Sequence, residues 1–185
     1  MKRADLLDLR VPDVLGEIIA WRAWELVGTE QTPRLASVTA LRIWKTVDGE
    51  PMAIWPTDRF FLARCPNGHV EGVPVESCSC GLYAAKDMQQ LIRLGYGAYG
   101  ADWQMNKIVG QVALSGKVIE GTQGWRAERG RVYRLWIPYE MDPAIGARLE
   151  AAYKVVVEPA QWIDGQWRTL DDLAAQFMPD LDEGE

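Results

Sequence analysis

The chain has 185 residues, 48% hydrophobic and 25% charged, proportions that exclude wholesale disorder and collagen-like or coiled-coil fibres. Its net charge of −6 resides in the C-terminal stretch, because Asp171, Asp172, Asp180, Asp182, Glu183 and Glu185 follow Arg168 with no base among them. The remaining body is neutral and lacks the overall basic field that drives phosphate-backbone binding, and no apolar run approaches the ~18 residues of a membrane span.

In chain order, Leu6, Leu7, Leu9, Val11 and Leu15 lie among charges and predict a short helix or arm ending at Gly16. Asp5 and Asp8 stand where a signal peptide needs apolar residues, so a cytoplasmic protein is expected. The run Ile18-Ile19-Ala20-Trp21-Arg22-Ala23-Trp24 is β-branched and aromatic, which predicts a largely buried strand over 17–27. Further extended segments are expected at 35–44 and 60–64, separated by the turn chemistry of Asp48-Gly49-Glu50-Pro51 and Trp55-Pro56-Thr57-Asp58. Ala84, Ala85, Met88, Leu91 and Ile92 recur at helical spacing before Gly95, predicting a helix over 84–94 with Gly95 at its left-handed end. A loop through Gly95-Tyr96-Gly97-Ala98-Tyr99-Gly100 follows. Period-two patterning then predicts a hairpin over 107–137, turning at Gly121-Thr122-Gln123-Gly124 and interrupted at Arg129-Gly130.

The C-terminal part reads as helical. Asp142 before Pro143 is an N-cap with Pro at N1, predicting a helix over 143–153. A short strand over 154–158 should stop at Pro159, and the pattern Thr169-x-x-Asp172 predicts a last helix over 170–177. Together these elements predict one domain over 1–178. It is of α+β class, with a mostly antiparallel curved sheet or partly closed barrel in a β-rich core over 17–137. Two or three helices cover it, a metal loop spans 65–80, and 138–178 form a helical extension, with an acidic tail over 179–185. An alternating βαβ order is not expected.

Ligand-type residues are concentrated in one place. All three cysteines and the only histidine, Cys65, His69, Cys78 and Cys80, fall within sixteen consecutive positions. Three cysteines and one histidine form an accepted tetrahedral zinc set, and Pro66, Asn67, Gly68, Gly72 and Pro74 supply turns for wrapping an ion. The competing readings are three reduced thiols or a Cys65–Cys78 disulfide, and an odd cysteine count in a cytosolic protein disfavours the latter. His69-Val70-Glu71 matches half of a zinc-deaminase signature, but the second half requires Pro-Cys-x-x-Cys where this chain has Cys-x-Cys. Filling the sphere with Cys65 also leaves no site for a reactive water. The expected cofactor is therefore structural zinc, with no catalytic residue assigned.

Nine tryptophans against three phenylalanines are the second peculiarity. Most should line the sheet core and its rim. A basic aromatic face is conceivable along Trp125, Arg126, Arg129, Arg131, Tyr133, Arg134 and Trp136, provided that Gly130 introduces a bulge bringing the arginines to one side. The letters of Gly95-x-Gly97-x-x-Gly100 spell a dinucleotide motif, but they follow a helix where that motif needs a strand.

The order Trp21-Arg22-Ala23-Trp24, Cys65…His69…Cys78-Ser-Cys80-Gly-Leu-Tyr-Ala84, Val109-Gly-x-Val-Ala-Leu and Gly124-Trp-Arg-Ala-Glu128 resembles a group of uncharacterised proteins from actinobacteria and their phages over residues 17–130. Its most specific element is Cys-x-Cys-Gly-(Ile/Leu)-Tyr-Ala. The resemblance implies a bacterial or phage cytosolic protein with a Cys/His site and transfers no catalytic residue. The leading functional expectation is a non-enzymatic binding or accessory protein acting on a protein partner. A nucleic-acid-associated protein using the 126–136 strand comes second. An enzyme with a cleft beside Gly95–Gly100 and Asp102 or Glu128 as acid/base comes third. The tail has too little apolar surface to offset ordering entropy, so deletion of 180–185 is expected to leave the thermal midpoint unchanged in a melting experiment.

Overall fold

The structure, a computed structural model, describes residues 16–38, 46–47, 50–51, 54–65, 68, 72–96, 107–163 and 166–169. Its centre is a hairpin of two long strands, β7 (Lys107–Glu120) and β8 (Gly124–Pro138), joined at Gly121–Gln123. Before it come β1 (Ile18–Gly28), β2 (Pro33–Ser37), β3 (Thr46–Val47), β4 (Glu50–Pro51), β5 (Phe61–Leu62), β6 (Leu82–Ala85) and α1 (Met88–Leu91), which continues as a wide turn through Ile92–Tyr96. After it come α2 (Pro143–Tyr153), β9 (Val156–Ile163) and β10 (Gln166–Thr169). β3 and β4 pair separately, and the other strands form one mixed sheet. β1 pairs β7, β7 pairs β8, β8 pairs β6, and β6 returns to β1 through Trp21↔Ala85, so the pairing is partly ringed.

The strands expected near 17–27, 60–64 and 107–137 are present, and the segment expected at 35–44 is extended as Pro33–Ser37, with 39–45 outside the described residues. Four expectations need correction. Residues 82–85 form a strand, not the start of a helix: Leu82 and Ala84 are buried while Tyr83 is 49% exposed, the alternation of a strand. The helix starts only after Asp87, whose carboxylate accepts from the Gln90 N–H at 2.6 Å. Gly95 lies inside the wide Ile92–Tyr96 turn and does not end a regular helix. The C-terminal segment is also not purely helical. β9 lies parallel to β8, from Arg134↔Val156 to Pro138↔Ala160, making β8–α2–β9 a βαβ crossover, and β10 extends it. Pro159 sits inside β9 where, among the described residues, β10 pairing reaches only as far as Ala160, so no described residue pairs with its outer edge.

The fourth correction concerns bulges. β8 runs unbroken past Gly130, and the irregularities lie elsewhere. Register passes from Gln111↔Arg134 to Val112↔Val132, leaving Tyr133 as the additional residue on β8. It passes again from Ser115↔Arg129 to Val118↔Ala127, leaving the additional residue on β7 beside Gly116. Gly116 has φ +76°, and a Cβ there would stand 2.4 Å from the Glu128 carboxylate, which accepts from the Lys117 N–H at 3.0 Å. Glycine is therefore required by both conformation and contact.

Two apolar clusters cover the faces of the sheet. The larger joins Trp24, Leu35, Trp55, Ile108, Val112, Leu114, Leu135 and Leu149. The smaller puts Leu91 and Met88 on Trp21, Ala23 and Val109. α2 follows the expected pattern. Asp142 caps the Ala144 N–H at 2.9 Å, and Leu149 and Tyr153 face the larger cluster. The buried Tyr153 hydroxyl accepts from the Leu35 N–H at 2.9 Å and donates to the Trp55 carbonyl at 3.1 Å, tying α2, β2 and the 54–64 segment together. Tyr153→Phe leaves the Leu35–Trp55 junction short of this bridge, and is expected to lower unfolding free energy by about 1–3 kcal/mol in urea titration with little change of slope.

Candidate metal centre

β8 assembles the cysteines. Its edge away from β7 is shared in series: β6 occupies Gly124 to Ala127, β5 occupies Arg129 and Gly130, and β9 occupies Arg134 onward. The Ala63 N–H continues the β5 pairing by donating to the Glu128 carbonyl at 2.8 Å. Cys65 therefore leaves the β8 edge just where Cys80 enters it. Between them Val75 to Cys78 make a tight turn, with the Cys78 N–H on the Val75 carbonyl at 3.1 Å. Gly81 follows at φ +127°, where a Cβ would press on Pro74 at 3.0 Å and on Arg126 at 3.2 Å. Glycine is thus required at position 81 on entry to β6.

The sulfurs of Cys65, Cys78 and Cys80 all lie within 4.8 Å of one another. Cys65 Sγ and Cys78 Sγ are 3.8 Å apart, far beyond the roughly 2.05 Å of a disulfide, and all three cysteines are free thiols. Two thiolates at about 2.3 Å from a tetrahedral ion stand about 3.8 Å apart, so this edge already has the length a metal requires. Cys80 is 4% exposed and accepts from the Val75 N–H at 3.4 Å. Burial pushes the Cys80 thiol up, the Val75 amide opposes this, and the neighbouring Cys78 and Cys65 push it further up. Without a cation Cys80 is therefore biased toward its neutral thiol, and a divalent ion would supply the positive charge that a thiolate there needs. His69 lies outside the described residues.

Arg126 fastens this turn to the sheet. Its guanidinium donates to the carbonyls of Val75 at 3.4 Å and Cys80 at 3.3 Å, and to that of Cys78. The Tyr83 hydroxyl donates to the Ser79 carbonyl at 2.6 Å, and Lys117 Nζ donates to the Gly72 carbonyl at 3.3 Å. Arg126 carries no ligand atom, so cysteine spacing alone could not reveal it; its position two residues after Gly124 in the hairpin was the available signal.

The remaining residues of the expected basic aromatic face are dispersed into separate tasks. Arg129, Arg131 and Arg134 pair with Ser115, Ala113 and Gln111, alternate positions of β7, so they do share a face, through the bulge at Tyr133 and not at Gly130. Arg131 forms an ion pair with Glu17 at 2.7 Å, and Arg134 one with Glu158 at 2.5 Å. Arg129 donates to Ser115 Oγ at 3.2 Å and lies over the Phe60 ring at 5.3 Å. Trp136 is buried, stacked on Trp21 at 5.0 Å, whereas Trp125 packs on the opposite side against the larger core. Tyr133 is exposed at its bulge. Of the enzyme candidates, Glu128 holds the Lys117 N–H of the β7 bulge, and Asp102 and Gly97–Gly100 lie outside the described residues.

No family model, curated protein or solved structure matches the chain. Among the described residues, no helix is long and apolar enough to cross a membrane. In reduced protein stripped of metal with chelator, Arg126→Met is expected to speed iodoacetamide alkylation of Cys80 at least fivefold, because the turn shielding it loses three carbonyl anchors. Peptide mass spectrometry measures this; an unchanged rate would show that the turn is held without Arg126.

Proposed function

We propose that this is a non-catalytic binding or accessory protein of bacterial or phage origin, with a partly closed β-barrel body and a structural zinc ion held by Cys65, Cys78, Cys80 and His69. The observation that carries the metal reading is the convergence of three sulfurs within 4.8 Å, one pair already at 3.8 Å. Four protein donors complete the zinc sphere and leave no position for a reactive water, which is the pattern of a structural site. The need for such a staple is visible locally. Among the described residues between Cys65 and Leu82, Val73, Pro74 and Cys80 are buried while Gly72, Glu76, Ser77 and Ser79 are exposed, which is little apolar burial to hold them by packing alone.

Protein prepared without a histidine tag is expected to carry one zinc per chain by elemental analysis. Cys80→Ser should lose that zinc and reduce stability by several kcal/mol, and His69→Ala should weaken zinc affinity while leaving the three thiols protected in zinc-saturated buffer. Less than ~0.2 zinc per chain, with three freely titrating thiols in the native state, would falsify the metal reading.

A further inference from the structure

We infer that Cys65 and Cys78 form an oxidation site within the metal centre, at which hydrogen peroxide joins the two sulfurs as a disulfide and the ion is released. The inference rests on the metal reading above and names the regulation of that site. Its first support is distance. The two sulfurs stand 3.8 Å apart although their residues are 13 positions apart in the chain. A disulfide needs about 2.05 Å, so each sulfur has to move by only about 0.9 Å, within the reach of a side-chain rotation.

Exposure separates this pair from the third thiol. Cys65 and Cys78 are half-buried, whereas Cys80 is 4% exposed, so a small oxidant arriving from water meets one of the first two sulfurs first. The surroundings of Cys80 are also fixed. Its sulfur accepts from the Val75 N–H at 3.4 Å, its carbonyl lies on Arg126 at 3.3 Å, and Gly81 beyond it is confined by Pro74 and Arg126. A Cys65–Cys80 link would have to draw that sulfur off the Val75 amide. A Cys78–Cys80 link would close a ring over Ser79 alone, whose carbonyl is held by the Tyr83 hydroxyl at 2.6 Å. The Cys65–Cys78 link asks less. Cys65 follows the stretch tied to β8 through the Ala63 N–H at 2.8 Å, and the Cys78 N–H closes its turn on the Val75 carbonyl at 3.1 Å, so both backbones stay in place while the side chains rotate.

In the zinc-loaded centre the sulfurs are thiolates, the form that reacts with peroxide. One sulfur of the pair attacks the O–O bond, takes one oxygen as a sulfenic acid and releases the other as hydroxide. The second sulfur displaces the sulfenic oxygen as another hydroxide and forms the S–S bond. Two protons from solvent turn both hydroxides into water. Each sulfur has then given up one electron, and the peroxide has taken both. The ion loses two of its four donors at once, and Cys80 with His69 no longer encloses it. The loop between Cys65 and Cys78 stays closed, by a covalent bond in place of the metal, so oxidation exchanges one staple for another.

Hydrogen peroxide added in steps up to about ten equivalents to the full zinc-loaded chain tests this, with zinc release read by a chromogenic chelator and cysteine pairing by mass spectrometry of unreduced peptides. About one zinc should be released per disulfide formed, with the Cys65–Cys78 link roughly tenfold or more above any link through Cys80, which stays open to alkylation. Dithiothreitol with added zinc should restore the starting state. At least one of Cys65→Ser and Cys78→Ser should accumulate a dimedone adduct on the remaining member of the pair, and Cys80→Ser should still form the link. Links made mainly through Cys80, links between chains, or sulfinic acid formed ahead of any disulfide would overturn the inference, as would zinc retained at about ten equivalents. A sample isolated without zinc defeats the metal reading and the oxidation site together. A sample that carries zinc and yields no Cys65–Cys78 link defeats the oxidation site alone and leaves the metal reading standing.

Discussion

Most of this molecule depends on how one strand edge is divided. β8 gives its first edge to β7 along nearly its whole length, and its second edge to β6, β5 and β9 in succession. A strand offers a fixed row of N–H and C=O groups, so three short segments can share it only end to end, each leaving where the next begins. This serial sharing brings Cys65 beside Cys80 and starts the parallel crossover into α2. It also places the 54–64 segment opposite β1 and β6. The cysteine cluster is a consequence of this arrangement.

The second support is a polar network inside the larger core. Ser37 Oγ accepts from Trp55 Nε1 at 2.9 Å and from Arg22 Nη2 at 2.9 Å, while Arg22 also lies over the Trp55 ring at 5.3 Å. Trp55 stacks on Phe61 at 4.8 Å and meets Trp24 edge-on at 5.3 Å. Such a network specifies one packing because each donor has one geometry in which it is satisfied. It accounts for tryptophan at position 55 in particular, since the buried Nε1 atoms of Trp24 and Trp136 have no hydrogen-bond partner among the described residues. Trp55 fills core volume and bonds Ser37 with the same side chain, which phenylalanine cannot do.

How much of this was legible in the sequence varied with the range of the interaction involved. The hairpin of β7 and β8 and the helix capped by Asp142 were readable because their signals are local: period-two patterning, a glycine-rich turn, and a cap followed by proline. The cysteine cluster was readable because ligand types are rare and clustered here. The segment 82–85 was misread because Ala84 and Ala85 fit a helical stripe as well as a strand. The missing signal was that no capping residue stands before Ala84, while Asp87 stands immediately before Met88. A strand continuing through Pro159 could not be read from the sequence, because its acceptability depends on how far the β10 pairing reaches, which is a tertiary fact. The bulge was assigned to Gly130 on conformational freedom, yet the pairing put it at Tyr133, since register is set by both strands together.

The contacts of Arg126 with three carbonyls also settle an account of charge. Three thiolates and a neutral imidazole around a divalent ion leave one negative charge, partly withdrawn from water. Arg126 places one permanent positive charge against the main chain carrying two of those sulfurs. The proposed centre and its anchor are then neutral as a unit, so a half-buried ion adds no uncompensated field to the sheet beneath it.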